Sequence, residues 1–349
     1  MILVTGGTGL LGSQLVWDLA QKGEQIRLLV RKTSDKKLLF DKFKGHQQLL
    51  SSIQFFEGDV TDLFSLEDAM QDVKQVYHCA ALVSFNTSDA DRMLKVNVDG
   101  TENVANACLQ KNIEKLCYVS SVATLGRRDS IELLDENVLW ENNNKVSNYA
   151  TSKYAAEREV WRGITEGLNA VIVNPSVILG AGNWKNDSSS LIKKVYDGLK
   201  FYTTGISGFV DVRDVSKCMI ALMNSTISRE RFIISSENLS YRELLKYIAS
   251  SLKVPAPSIQ ATPMLSGIAW RLEKLRSLLT GEPSLITRET TRSALQKFCY
   301  SNEKIKKEIG IEFIPVKDTV EYLSGKFLNE NEINNNTPQK LKQQTSTHA

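Results

Sequence analysis

The chain opens on a short apolar run, ILVTG at 2–6, that stops at a cluster of glycines. Five runs of the same kind follow: IRLLVR (26–31), IQFFEGD (53–59), VYHCAA (76–81), LCYVSS (116–121) and AVIVNPS (170–176). They are rich in β-branched and aromatic residues and are bounded by polar or glycine-containing segments, which predicts strands. Their apolar character is nearly continuous rather than alternating, so both faces of each strand should be covered. Between them lie stretches with helical spacing, including 12–22 and 65–70, the latter opening with Ser65-x-x-Asp68 in the manner of a capping box. Strand–helix alternation of this kind predicts an α/β fold, a doubly wound parallel sheet of the Rossmann type. Such sheets bind ligands at the carboxyl ends of their strands.

Beyond Ser176 the pattern changes. Residues 180–205 read as a long excursion carrying one short helix, after which FVDVRD (209–214) and RFIISS (231–236) return as strands. Ser240-Tyr-Arg-Glu243 is a capping box that opens the helix ELLKYIASSL. Leu265, Ile268, Leu272, Leu275 and Leu279 recur at helical spacing, with Arg271, Lys274 and Arg276 between them. This predicts a packed helix, with a membrane-surface or partner helix as the alternative. From Asn329 onward the chain is polar and aperiodic, which predicts a disordered tail. The expected organisation is a dinucleotide-binding domain at 1–178, to which 206–237 returns, and a smaller, mostly helical C-terminal substrate lobe from 179–205 and 238–328.

Composition narrows the class. The 349 residues suffice for a substantial core, and 42% hydrophobic with 24% charged residues fits a soluble globular protein. The net charge of +3 comes from dispersed basic residues, so no nucleic-acid partner is expected. No apolar run approaches the ~20 residues of a membrane span. The opening MILVTGG enters a strand at once, leaving no room for a targeting segment, and a cytoplasmic location is expected. The five cysteines (79, 108, 117, 218 and 299) form no C-x-x-C pair, and there are only three histidines, so reduced thiols and no metal site are expected.

The glycines carry the first chemical signal. Gly6, Gly9 and Gly12 lie between the first strand and the first helix, with Thr8, Leu10 and Leu11 filling the turn. Glycine at these points permits a tight turn, close approach of a diphosphate and close helix–sheet packing, and the helix N-terminus favours its charge. The second strand ends at Arg31, followed by Lys32. A carboxylate at this place holds a ribose 2′-hydroxyl, whereas arginine offers planar donors to a 2′-phosphate. NADP(H) is therefore favoured over NAD(H), the alternative for Arg31 being a solvated strand end. Asp59 and Val60 end the third strand, where the carboxylate could meet the adenine amino group or simply shape a turn.

The second signal is spread over the next ninety residues. LCYVSSVATLG places Ser120 and Ser121 at a strand end, and SNYATSK places Tyr149 and Lys153 one helical turn apart on one face. With Asn97 in NVDGT, NPSVILG at 174–180, FVDVRDV, and the late YSNEKIKKEIGIEFIP, these motifs resemble the extended short-chain dehydrogenase/reductases, the NAD(P)-dependent epimerase/dehydratase family, over most of the chain. The resemblance implies that Tyr149 exchanges a proton with the substrate oxygen as hydride moves at the nicotinamide. A free phenol titrates near 10, and the Lys153 ammonium is expected to lower it. Lys153 would also bind the nicotinamide ribose, Ser121 would orient the substrate oxygen, and Asn97 would support a water relay behind Lys153. Ser120 competes for the serine role, but Ser121 matches the family spacing to Gly126. The resemblance further places His78 to Ala81, including Ala80 and Ala81, along the cofactor, with His78 as a packed residue, and puts Pro175 and Ser176 near the carboxamide. Val83, Phe85, Trp184, Phe201 and Phe209 could wall a substrate pocket or pack in the core.

Within the family, dehydratases carry Thr-Asp-Glu where this chain has Ser121-Val-Ala, and epimerases show Tyr-Gly and Arg-Pro where it has Leu125-Gly126 and Asn174-Pro175. NPSVILG and Arg31 are more like the dihydroflavonol-reductase and hydroxysteroid-dehydrogenase-like branch. The expectation is an NAD(P)-dependent oxidoreductase interconverting a ketone or aldehyde with an alcohol on a small, fairly apolar molecule. A nucleotide-sugar epimerase is the alternative, and a nucleotide-sensing regulator without catalysis a third. A homodimer through helices flanking the sheet is allowed by the same resemblance.

Overall fold

A computed structural model describes residues 1–126, 133–140, 146–184, 188–262 and 294–336. The first six strands are β1 (Ile2–Thr5), β2 (Ile26–Val30), β3 (Ile53–Glu57), β4 (Gln75–His78), β5 (Lys115–Val119) and the two-residue β6 (Leu133–Leu134). They are followed by β7 (Ala170–Pro175), β8 (Val177–Leu179), β9 (Phe201–Tyr202), β10 (Ile206–Asp211), β11 (Glu230–Ile234) and β12 (Glu237–Ser240). Seven of these form one parallel sheet in the order β11-β7-β5-β4-β1-β2-β3. The order reverses between β1 and β4, and a sheet of this topology leaves a crevice at that point.

Helices cover both faces, as the continuous apolar strands require. Leu10–Gln21 and Val212–Met223 lie on one side, with Leu15, Leu19, Met219 and Leu222 packed against Val4, Leu28 and Phe232. Leu63–Ala69, Gly100–Gln110 and Asn148–Thr165 lie on the other, where Leu66, Val104 and Val160 meet Leu3, Val76 and Ile172. All six residues of β7 are buried. Each such aliphatic side chain contributes about 1.5–3 kcal/mol, so the central strands are the stiffest part of the scaffold.

Several local expectations are corrected. The helix after β3 starts at Leu63, not at Ser65: the Asp62 carboxylate caps it by accepting from Phe64 N–H at 3.1 Å. Ser65 sits in the first turn and donates back to the Asp59 and Asp62 carbonyls. The strand expected over 209–214 ends at Asp211, whose carboxylate accepts from Arg213 N–H at 2.8 Å and caps the next helix. That strand, β10, stays outside the main sheet and pairs with β8 and β12 in a three-stranded one, while β11 extends the main sheet beside β7. The capping box at Ser240 and Glu243 is present.

A third apolar cluster unites Ile192, Val195 and Phe209 with Leu244, Ile248, Val320, Leu323 and Phe327. Its last members belong to the helix Val316–Asn336, which runs past Asn329, where disorder was expected. Phe327 packs edge-on against Trp184 and Tyr196, and Glu330 accepts from Trp184 Nε1 at 2.7 Å. These contacts hold a segment whose sequence alone has no helical period. The expected helix at 264–279 and the final residues of the chain lie outside the described residues. Among the described residues, no helix is long and apolar enough to cross a membrane, and no group of three or more His, Cys, Asp or Glu is placed to hold a metal ion.

Candidate active site

The crevice at the carboxyl ends of β1 to β4 is a cleft of about 270 Å³. Gly6, Thr8 and Gly9 line it from the first turn, Arg31 from the end of β2, Asp59 and Val60 from beyond β3, and Ala80 and Ala81 from beyond β4. Gly6 has φ +71°, and a Cβ there would lie 2.5 Å from Ala80 N. A Cβ on Gly12 would lie 2.2 Å from Gly6 O, so the helix can approach the turn this closely only without a side chain. Gly9 precedes the helix Leu10–Gln21 in extended conformation, which leaves the first amides of that helix facing the turn. This donor set fits a dinucleotide diphosphate.

Not every expected cofactor residue lines this cleft. Lys32 is exposed, and Leu10 and Leu11 turn toward the core. Pro175 ends β7 farther along the sheet edge and Ser176 follows it, its N–H bonded to Ile234 O. The Asp59 carboxylate accepts from the Thr61 amide and hydroxyl, both at 2.9 Å, so its turn-shaping role is present. The cleft also includes Ser34, Arg92 and Val96, which no motif had singled out. Ser34 accepts from Arg31 N–H at 3.1 Å, and Arg92 lies on the short helix Ala90–Leu94. Their signal in the sequence is weak because nothing in their local pattern says which strand end they will face.

The Ser-Tyr-Lys residues come together farther along the sheet edge. Ser121 follows β5 and caps the turn Val122–Thr124, accepting from Ala123 N–H at 3.1 Å. The helix Asn148–Thr165 begins at Ser147, whose hydroxyl accepts from Ala150 N–H, and so Tyr149 stands in its first turn beside that strand end. Burial raises the Tyr149 phenol above its ordinary value, against which a hydrogen bond with Ser121 works. The Phe85 ring lies 6.0 Å from the Tyr149 ring. Ser120, by contrast, donates its hydroxyl to Glu157 at 2.5 Å inside the protein. The two serines thus differ: Ser120 is committed to Glu157, whereas Ser121 caps its own turn at the strand end beside which the helix of Tyr149 begins.

Lys153 departs from expectation. Its Nζ donates to Tyr118 Oη at 2.9 Å and to the Val119 carbonyl at 2.7 Å, and it lies 4.6 Å from the Tyr118 ring centroid. Burial lowers its pKa to about 8, while Glu157 and Cys79 hold it up. The expected lowering of the Tyr149 pKa by Lys153 is therefore not the arrangement found, since burial dominates at Tyr149 and the ammonium is engaged by Tyr118.

Asn97 sits in a single π-helical turn, Lys95–Asp99. Its amide is committed to the Leu82 backbone, accepting from N–H at 2.7 Å and donating to the carbonyl at 3.0 Å, and it donates to Ser152 Oγ at 3.0 Å. It ties the segment after β4 to the helix of Tyr149 and Lys153. His78 is fully buried, bonded to Thr5 and Thr101, and burial pushes its pKa down to about 3, so it stays a neutral packing residue.

Of the pocket-wall candidates, Val83 is exposed and Phe85 stands beside Tyr149. Phe209 is fully buried against Tyr241, Trp184 packs on Phe327, and Phe201 is exposed on the two-residue strand β9. The five cysteines are free thiols.

A family model described as the NAD-dependent epimerase/dehydratase family matches residues 2–234. A candidate dihydroflavonol 4-reductase of Synechocystis is 30% identical over 326 residues, 91% of each chain. The crystal structure of gox2253 is 29% identical, with a TM-score of 0.79 over 95% of this chain and 98% of that one. DesIV, a dTDP-glucose 4,6-dehydratase of Streptomyces venezuelae solved with NAD and TYD bound, is 19% identical with a TM-score of 0.75, covering 95% and 97%. That last likeness is one of fold.

Proposed function

The chain belongs to the NAD-dependent epimerase/dehydratase family, and from that premise we propose that it is an NAD(P)-dependent reductase, interconverting a ketone or aldehyde and an alcohol on a fairly apolar molecule. The observation that carries this reading is Tyr149 in the first turn of its helix beside the Ser121 turn, which holds no acid. Val122 and Ala123 occupy the positions where a dehydratase needs its acid and base, and Val122 packs against an apolar cluster. Elimination of water therefore has no proton donor there, whereas proton exchange with a single oxygen does.

The residues divide the work as follows. The turn Gly6–Gly12 and the helix behind it receive the diphosphate of the cofactor. Bound there, the nicotinamide supplies or takes up the hydride. Ser121 donates a hydrogen bond to the substrate oxygen and fixes it against Tyr149 Oη. In reduction Tyr149 gives its proton to the developing alkoxide, a task suited to a phenol kept protonated by burial. Lys153, seated by Tyr118 and the Val119 carbonyl one helical turn on, would hold the nicotinamide ribose. Phe85, beside the phenol, presents an apolar and aromatic surface to the rest of the substrate. Arg31 and Ser34 at the far end of the cleft, with no carboxylate at the end of β2, favour NADP(H) over NAD(H).

The test is a screen of ketones, aldehydes and sugar nucleotides, followed by NADPH absorbance and repeated with NADH. Oxidation of NADPH with an apolar ketone is expected. Conversion of a sugar nucleotide with no net cofactor consumption would instead assign an epimerase.

A further inference from the structure

Buried one helical turn beyond Lys153 is a carboxylate that this chemistry does not use. Glu157 is 2% exposed. One of its oxygens accepts from Ser120 Oγ at 2.5 Å, Thr124 Oγ1 at 2.8 Å and Asn174 Nδ2 at 2.8 Å. The other accepts from Trp161 Nε1 at 3.2 Å and Arg231 Nη1 at 3.1 Å. A buried carboxylate is costly unless its lone pairs are satisfied, and here five donors from four elements do so.

The donors are not arbitrary. Ser120 and Thr124 flank Ser121, and Thr124 Oγ1 and Asn174 Nδ2 also reach the Ser121 carbonyl, at 2.9 and 3.2 Å. Glu157 stands on the same helix as Tyr149 and Lys153, at successive four-residue steps. A single side chain therefore bolts the helix bearing the phenol to the turn bearing the serine. We propose that Glu157 is a positioning residue for the reaction: it sets the separation of Ser121 from Tyr149, and its negative charge keeps the Lys153 ammonium in place in a buried site. This rests on the Ser121–Tyr149–Lys153 reading above.

The electrostatics agree with that role. Burial alone would push the Glu157 carboxyl up, but the Ser120 hydrogen bond, the Arg231 charge and the bonds from Thr124 and Asn174 outweigh it and hold the group below its ordinary range. Lys153 is in turn faced by Glu157 on its own helix, Tyr118 on β5, and neutral His78 and Cys79 at the end of β4. Among these Glu157 is the anion. Removing its charge lets burial depress Lys153 further.

The experiment is Glu157→Gln, with Tyr149→Phe as the control for the underlying reading. The expected result is a fall in kcat of about 10–100-fold, with NADPH affinity, read by nucleotide fluorescence, within about threefold. The high-pH limb of kcat for ketone reduction should move down by about one pH unit, and Glu157→Asp should restore it in part. A lowered melting temperature with kcat and the limb unmoved makes Glu157 a purely structural residue and overturns the proposal. If Glu157→Gln does not fold, Ser120→Ala decides: a kcat loss of about threefold or more at unchanged NADPH affinity supports it, and an unchanged kcat sinks it. Turnover surviving Tyr149→Phe would instead indict the Ser121–Tyr149–Lys153 reading itself.

Discussion

Lys153 directs its ammonium at the phenol of Tyr118, 2.9 Å away on the neighbouring strand, while Tyr149, four residues earlier on the same helix, lies with its ring 6.0 Å from that of Phe85. The two tyrosines thus divide the duties that a simple Tyr-x-x-x-Lys reading assigns to one. Tyr118 seats the lysine, its ring stacked on His78 at 5.5 Å, and in the proposed mechanism Tyr149 is left to face the substrate.

Tyr118→Phe removes the hydroxyl and keeps the ring. A buried ammonium then loses an acceptor, at a cost of about 1–3 kcal/mol. Urea denaturation at pH 7 should register that loss, and kcat should fall while NADPH affinity holds.

Lys153 also imprints a pH dependence on stability. Its folded pKa of about 8 lies below its ordinary 10.5, so between these values the unfolded chain binds more protons. Stability from this group accordingly rises with pH across that window and is lowest below about 8. Lys153→Met should flatten the rise between pH 8 and 10, seen as a narrowing gap between the two proteins in urea midpoints. Lys42, also lowered to about 8 by burial, contributes a parallel slope to both and cancels in the comparison.

At the glycine turn, Gly12→Ala places a methyl 2.2 Å from the Gly6 carbonyl, backbone that cannot swing aside. NADPH binding should weaken by about 100-fold or be lost, since the diphosphate cradle opens. Calorimetry with NADPH gives the answer, and an affinity within threefold of wild type would contradict the assigned cradle.

Arg31→Ala should raise the Kd for NADPH about tenfold, the value of one charge-assisted contact, and leave NADH nearly unchanged. Equal weakening of both cofactors would place Arg31 near the diphosphate instead.

Phe85→Ala should raise KM for a bulky apolar ketone about tenfold, with little change in kcat and none for a small ketone, because only the larger substrate reaches the ring beside Tyr149. Steady-state kinetics with the two substrates separates the cases.

Much of this was legible along the chain because it depends on local chemistry. Continuous apolar strands, alternating helices and glycines at 6, 9 and 12 determined a doubly wound parallel sheet with a dinucleotide cleft at its carboxyl edge. The spacing of Tyr149 and Lys153 determined that both share a helix face, and the same count of four reaches Glu157, which was readable but carried no meaning without its donors. Local signals misled where a nearer alternative competed, as with Asp62 over Ser65 at a helix start, and where distant contacts hold a polar segment helical, as Trp184 does for Glu330. The tertiary structure alone decided the partners. Ser120 and Ser121 are neighbours with the same side chain, and only the packing of this strand end against the flanking helix sends Ser120 to Glu157 and leaves Ser121 capping its own turn. Likewise the sequence offers Lys153 no hint of Tyr118, because that contact spans 35 residues and exists only once β5 and the helix pack, where burial turns the choice of hydrogen-bond partner into an energetic necessity.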